Sequence, residues 1–417
     1  MTPRRAAQWA WALTAWANHA FTTTVLVALF PIFFAKYWAA ALPGTRSTFF
    51  LGLTNSSASF LVMLLSPWLG ALADRLGRKR RWFGVCTALG ACATALLALV
   101  GAGQWPVALL LFALGSVGFW AGSSFQDALL VQVAEARENN RISALGFALG
   151  YAGGGVLFLL NVLLLQHPEL LRLHTAVAAT RVAFLDVAIW WVLFTLPMFR
   201  YVPEPAPTAE AAGWRELWGT IRSVLRDRPV MNFLLAYWLY IDGISTVQLM
   251  ASDFGSKLGF SSDTLLQALL MVQVISIPFA LLFGWLGDRI GTRPAIYLGL
   301  AIFIAVTVYA YFMRSEWQFY VLAAAFATAQ GGVQSLSRAY FATLIPRERA
   351  GEYFGFYNML AKFAAVLGPL VMGVVAITTG NQRLSILALL VFFIGGAWLL
   401  SRVPDAGRPL RGAASGP

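Results

Sequence analysis

GALADRLGRKR, residues 70–80, returns in weakened form as GWLGDRIGTRP, residues 284–294. Gly70, Asp74, Arg75 and Gly77 correspond to Gly284, Asp288, Arg289 and Gly291 at one constant offset of 214 residues. Each copy is a charged turn, broken by glycine, between two long apolar runs. The repeat extends outward from there. NHAFTTT, from Asn18, aligns with DGISTVQ, from Asp242, at an offset of 224, and Gln126 stands opposite Gln334 at an offset of 208. Two similar halves oriented the same way are the mark of a parallel internal repeat in a membrane protein.

Composition agrees. The chain has 417 residues, is 59% hydrophobic and has a mean hydropathy of +0.70; its 12% of charged residues is about half the usual share for soluble domains. This is a polytopic membrane protein. A net charge of +12 would suggest nucleic acid in a soluble chain. Here the basic residues cluster between apolar spans, so topology accounts for them and no nucleic-acid partner is expected. Cys86 and Cys92 lie in one span and read as free thiols. The three histidines, His19, His167 and His174, lack metal-ligand spacing, and no metal or cofactor is expected. Arg4 and Arg5 precede an apolar stretch of about 30 residues, too long for a signal peptide, so it reads as an uncleaved first span.

A hydrocarbon core of about 30 Å needs roughly 20 apolar residues as helix. Twelve stretches qualify, near 8–38, 48–73, 81–103, 105–133, 142–166, 180–199, 230–256, 262–287, 294–312, 316–341, 351–379 and 382–402. An even number puts both termini on one side. The tails and even-numbered connections carry 21 Lys and Arg against seven on the other side, which predicts cytoplasmic termini. The expected organisation is a six-helix bundle over 1–199, a cytoplasmic linker over 200–229, a second six-helix bundle over 230–404 and a tail over 405–417. Within the linker, Trp214, Leu217, Trp218, Ile221 and Leu225 fall at the spacing of an interfacial amphipathic helix.

The pattern G-x-x-x-D-R-x-G-R-[RK] at 70–79 resembles the signature of the major facilitator superfamily. Within it, the chain is similar to the unknown major facilitator family that includes the autophagy-related vacuolar amino-acid effluxers. The stretches that carry this are WANHAFTTTVLVALFPIFF at 16–34, ISALGFALGYAGG at 142–154, LYIDGISTV at 239–247 and GGVQSLSRAYFATLIPRERAGEYFGFYNMLAKFAAVLGPL at 331–370. One departure stands out: Ala15 occupies a position where bacterial members commonly carry aspartate. The resemblance implies an all-α polytopic membrane protein, with twelve transmembrane helices in two pseudo-symmetric six-helix bundles. It implies a secondary transporter working by alternating access. It also implies that Asp74, Arg75 and Arg78 latch the halves on the cytoplasmic side. Asp288 and Arg289 form a weaker counterpart, because Thr292 stands where the full pattern has Arg.

Asp242 is the thirteenth residue of its span and therefore sits near the midplane. Its face is shared by Ser245, Thr246 and Asp253, with Tyr240 beside it. Ionisable groups at this depth are expensive and mark solute or proton pathways. Asp242 is a candidate proton carrier or anchor for a substrate amine; the alternative is an ion pair that locks helices. Lys362, the twelfth residue of the eleventh span, is expected at similar depth, either paired with Asp242 or holding the other end of a zwitterion. Asn358 adds hydrogen-bonding capacity beside it. Gln126, Asp127, Gln334 and Arg338 are expected to line the inner half of the cavity. Arg338 is equally a gate residue pairing with Glu352 or Asp127. Asn18, Thr22 and His19 make a polar patch on the first span, where a satisfied interior histidine is the commoner reading of His19. Asp186 is expected to pair with Arg181, and the glycines at 150 and 153–155 to permit tight helix packing.

No paired histidines, GxSxG or HExxH motif, or Ser/His/Asp or Cys/His set supports an enzyme. The favoured reading is a secondary transporter that exports an amino acid or other zwitterion or organic anion, coupled to protons. Its expected partners are that solute, protons and membrane lipids, and it is expected to act as a monomer in a bacterial inner membrane. The alternatives are a multidrug exporter and a lipid-handling protein of the same fold.

Overall fold

The computed structural model describes residues 2–404 apart from 174, 208–221, 223, 225 and 258. Among the described residues there are twelve helical rods and no strands. They are α1 (Pro3–Trp38), α2 (Gly44–Leu76), α3 (Lys79–Leu97), α4 (Trp105–Val133), α5 (Asn139–Gln166) and α6 (Ala176–Tyr201), followed by α7 (Arg228–Lys257), α8 (Ser262–Ile290), α9 (Thr292–Phe312), α10 (Glu316–Leu344) and α11 (Ala350–Thr379). The last, α12, is broken into Gln382–Leu387 and Leu390–Leu400. The amphipathic helix expected at 214–225 and the tail from 405 fall outside the described residues.

Ten of the rods are long and apolar enough to cross a membrane on those grounds alone. The remaining two, α3 and α10, fall short for physical reasons. Lys79, Arg80 and Arg81 fill the first turn of α3. The second half of α10 carries Gln330, Ser335, Ser337 and Arg338, all buried, so its polar groups are sheltered by protein rather than lipid. A backbone in hydrocarbon must satisfy its own polar groups, which explains why the rods are helical nearly end to end.

α1 departs from regular geometry. Over Phe21–Leu29 and Phe34–Trp38 its turns widen, so that the Phe30 N–H reaches the Val25 carbonyl and the Ala39 N–H reaches that of Phe34. Three successive threonines, Thr22 to Thr24, crowd the first widened stretch, and Pro31 between the two removes a helical donor. Widened turns of this kind recur at functional sites.

The chain forms two compact units, and each takes in a short piece of the other sequence half. The first comprises Met1–Val133, Gly146–Ala211 and Glu348–Met359; the second comprises Ala134–Leu145, Ala212–Arg347 and Leu360–Pro417. Aromatic rings fill the first unit's core: Phe30 stacks on Phe112 at 4.0 Å, Trp38 on Phe184 at 5.7 Å, and Trp191 lies against Phe21 at 5.0 Å. In the second unit Phe303 stacks on Phe393 at 5.5 Å and Phe233 on Phe341 at 5.7 Å. On α6, Arg181 does not pair with Asp186. Its guanidinium donates to the Tyr37 hydroxyl and the Val100 carbonyl, both at 3.3 Å. Five residues along a helix put the two side chains on different faces, and Asp186 has no ion pair among the described residues.

Candidate functional site

Asp242 is 1% exposed in the middle of α7. One carboxylate oxygen, Oδ1, accepts from the backbone N–H of Gly368 on α11 at 2.9 Å and from Thr246 Oγ1 at 3.2 Å. The other, Oδ2, is buried with no hydrogen-bond partner among the described residues. Sequence explains the close approach. A Cβ at Gly368 would lie 1.8 Å from Thr246 Oγ1 and 2.7 Å from Asp242 Oδ1. Pro369 follows, so the helix lacks a backbone donor at the next position. The result is a carboxyl group held on the backbone of a neighbouring helix beside a proline, with one oxygen lacking a hydrogen-bond partner among the described residues.

Lys362 is not the ion-pair partner of Asp242, which makes no ion pair among the described residues. The reason is register. At the level of Asp242 stands Gly368, the nineteenth residue of α11, and Lys362 lies about 9 Å back along that helix. The side chain of Asp253 is outside the description. Tyr240 is fully buried and bonds Ser337 Oγ at 2.6 Å; since Ser337 donates to the Val333 carbonyl, Tyr240 is the donor to Ser337. It joins α7 to α10 rather than facing open space.

In the first unit, Asn18 and Gln126 are committed to each other. Asn18 Nδ2 donates to Gln126 Oε1 at 2.7 Å, Trp191 Nε1 donates to Asn18 Oδ1 at 2.5 Å, and Trp11 Nε1 donates to the Gln126 carbonyl at 2.7 Å. Both residues are under 5% exposed, so they act as polar fasteners between α1, α4 and α6. The ring of His19 packs edge-on to Tyr151 at 5.8 Å, over the space left by Gly150. Thr22 Oγ1 and Thr24 Oγ1 are buried on the widened stretch of α1 without partners among the described residues. Gln334 is half-buried and makes no hydrogen bond among the described residues. Asp127 accepts from Asn358 Nδ2 at 3.0 Å. Arg338 clasps Ser143, with Nε on the hydroxyl and Nη2 on the carbonyl, each at 2.9 Å. Glu352 pairs with Arg349 at 2.9 Å.

The charged turn between α2 and α3 forms the second constellation. Asp74 is buried; its oxygens accept the N–H groups of Gly351, at 3.1 Å, and Glu352, at 2.9 Å, in the first turn of α11. A helix N-terminus favours an anion there. The basic partner of Asp74 is Lys79, 1% exposed, rather than Arg75 or Arg78. Gly77 ends α2 in the left-handed region at φ 58°, and this turn carries Lys79 back over Asp74 while Arg75 and Arg78 point outward, exposed. Glu204, beyond the end of α6, accepts from the N–H groups of Arg80 and Arg81 at 3.0 and 3.1 Å, and Arg80 Nη1 donates to the carbonyls of Phe199 and Val202. In the second copy, Asp288 is exposed and, among the described residues, accepts only from Asn140 Nδ2, at 3.1 Å, while Thr292 donates to Asn140 Oδ1. Arg289 lies over the Trp285 ring at 4.9 Å. Gly351, Gly368 and Glu204 lie outside the repeated motif, whose last position is Lys79. Their signals, a glycine before a proline and a glycine at a helix start, are too common to stand out alone.

Against known proteins, residues 130–408 match the family described as vacuole effluxer Atg22 like. The chain is 38% identical over 403 residues to YxiO, an uncharacterized MFS-type transporter of Bacillus subtilis (strain 168), covering 95% of this chain and 94% of that one. It is 27% identical over 324 residues to autophagy-related protein 22 of Yarrowia lipolytica, covering 68% of this chain and 54% of that longer protein. Its fold is similar to that of the human organic anion transporter MFSD10, with a TM-score of 0.77, 18% identity and coverage of 96% of this chain and all of the other.

Proposed function

Because the chain belongs to the Atg22-like family of major facilitator transporters, we propose that it exports a small zwitterionic solute, an amino acid or a related organic anion, in exchange for protons. The observation that carries this reading is Asp242, whose Oδ2 is buried without a hydrogen-bond partner among the described residues while Oδ1 is held on Gly368. A buried carboxylate with an unsatisfied oxygen is costly unless a proton or a cationic group completes it in part of a cycle. An ammonium group on the solute and a proton are the two species that fit, and competition between them is the simplest basis for exchange. The excess of Lys and Arg on the terminal side supports cytoplasmic termini in a bacterial inner membrane. In this reading Asp74 on the first turn of α11 is the cytoplasmic latch, and Lys79 is its basic member.

The test is counterflow of labelled amino acids into proteoliposomes, with and without an imposed pH gradient, for wild type and Asp242→Asn. Wild type is expected to show counterflow and gradient-driven uptake; the variant keeps at most the former. Gradient-driven uptake retained by Asp242→Asn sinks Asp242 as the coupling residue. Absence of counterflow for every amino acid, from folded protein, sinks the substrate class and turns attention to drugs or lipids.

A further inference from the structure

A pocket of about 500 Å³ opens at the end of the first unit opposite Pro3, where α2 and α4 begin. Leu42, Arg46, Phe49, Phe50 and Trp105 line it, and all five belong to that unit. Phe50 stacks on Trp105 at 4.8 Å to make an aromatic floor, and Phe49 stands edge-on to Phe50 at 5.6 Å. The indole N–H of Trp105 has no acceptor among the described residues. Arg46 is exposed at the rim, and its guanidinium makes no hydrogen bond or ion pair among the described residues. The first 73 residues hold no aspartate or glutamate, and the α3–α4 connection over 98–104 is uncharged. On the α5–α6 connection the acidic residue, Glu169, is engaged by His167 at 3.1 Å. No carboxylate on the connections of this face is left to neutralise Arg46. The level of the pocket is fixed by the spans around it. Apolar spans begin at Phe49 on α2 and at Trp105 on α4, so the floor lies where headgroups give way to hydrocarbon, a depth that tryptophan favours. Arg46 stands three residues nearer to water. Phe49 is 63% exposed and Leu53, one turn farther along α2, is 51% exposed, so the apolar wall continues toward the bilayer interior.

We infer that this pocket binds an anionic phospholipid of the phosphatidylglycerol class, with its phosphate on Arg46, its ester region beside the Trp105 indole and an acyl chain along Phe49 and Leu53. A guanidinium matches a phosphate through paired N–H donors. Basic pockets between membrane helices hold lipid headgroups by the same chemistry. A zwitterionic lipid brings an ammonium for which the rim offers no carboxylate, so the anionic headgroup is favoured. A water-soluble anion would satisfy Arg46 but leave the wall of Phe49 and Leu53 uncovered. The site is separate from Asp242, which belongs to the second unit, and it does not depend on which solute the protein carries.

Native mass spectrometry of the full-length protein released from detergent counts retained lipid directly. Dioleoyl phosphatidylglycerol and dioleoyl phosphatidylcholine are added at equal concentration. Wild type is expected to retain one phosphatidylglycerol, preferred over phosphatidylcholine by roughly fivefold. Arg46→Gln is expected to lower that retention by roughly fivefold and to erase the preference. Its melting temperature should match wild type, because the side chain is exposed and unpaired among the described residues. Trp105→Leu removes half of the aromatic floor and gives a smaller loss, shared by both lipids. Lys36 is an exposed cation at the same end of the unit but outside the pocket, and Lys36→Gln should leave retention at wild-type level. The inference is overturned if wild type retains both lipids equally, or if Arg46→Gln retains phosphatidylglycerol as wild type does. An equal loss in Lys36→Gln also overturns it, since diffuse surface charge would then suffice. Displacement of the lipid by glycerol 3-phosphate at equal concentration would make the pocket a site for a soluble phosphate ester and defeat the lipid assignment.

Discussion

The two copies of the charged turn share Gly, Asp, Arg and Gly at matching positions, yet one carboxylate is buried and the other is in the open. Asp74 reaches two backbone N–H groups at the start of α11. Asp288 reaches a side chain at the start of α5 and stays exposed. The difference lies less in the motif than in the helix start that receives it. At Gly351 there is no side chain, and a Cβ there would lie 2.7 Å from the Gly70 carbonyl and 2.9 Å from the Asp74 carboxylate. Asn140, by contrast, puts its amide between Asp288 and the helix start and takes the bond itself. Lys79 then completes the buried anion, while Arg293, its counterpart at the same offset, donates to the Val403 carbonyl instead. A shared motif therefore yields a deep latch or a shallow one according to its receptor.

Asp74→Asn should break this contrast most severely. It strands Lys79 as a buried cation, and removing one member of a buried pair costs about 3–5 kcal/mol. Thermal melting in detergent should show the loss; a melting point unchanged from wild type would mean that the pair is solvated. Gly351→Ala comes next. It forces backbone against backbone at the deep latch, with an expected loss of about 1–3 kcal/mol by the same assay. Alanine tolerated there would remove the receptor argument. At the shallow copy, Asp288→Asn keeps an oxygen for Asn140 to donate to and should stay within about 0.5 kcal/mol of wild type. The smallest effect is expected of Arg75→Gln and Arg78→Gln, each within about 0.5 kcal/mol, because neither side chain touches the latch. A large loss in either would reinstate the arginines as its basic members.

The rods were legible because bilayer thickness fixes how long an apolar helix must be, and charged turns mark its ends. For that reason expected spans such as 105–133 and 294–312 lie within two residues of α4 and α9. The sites were less legible. Asp74 and Asp242 stand out as charges in apolar surroundings, but their partners are backbone N–H groups, which no side-chain pattern announces. Register between distant helices is also hidden: counting from span ends puts Lys362 beside Asp242, whereas packing puts Gly368 there. Asn18 and Gln126 look like cavity polarity in sequence, and only their contact distance reveals that they satisfy one another. The left-handed turn at Gly77, which selects Lys79 over two nearer arginines, is a handedness that spacing alone does not encode.

One arrangement bears on the order in which the protein is made. Glu204 and the Val202 carbonyl fasten the end of α6 to the start of α3, so the first six helices can close on themselves as soon as residue 204 emerges. Asp74 is by then in place, but Gly351 will not exist until a further 147 residues have been added. During that interval Lys79 is the partner that keeps the carboxylate neutralised, like a plug in a socket whose permanent fitting arrives near the end of synthesis. Domains built in sequence depend on such provisional satisfaction of groups destined for later contacts.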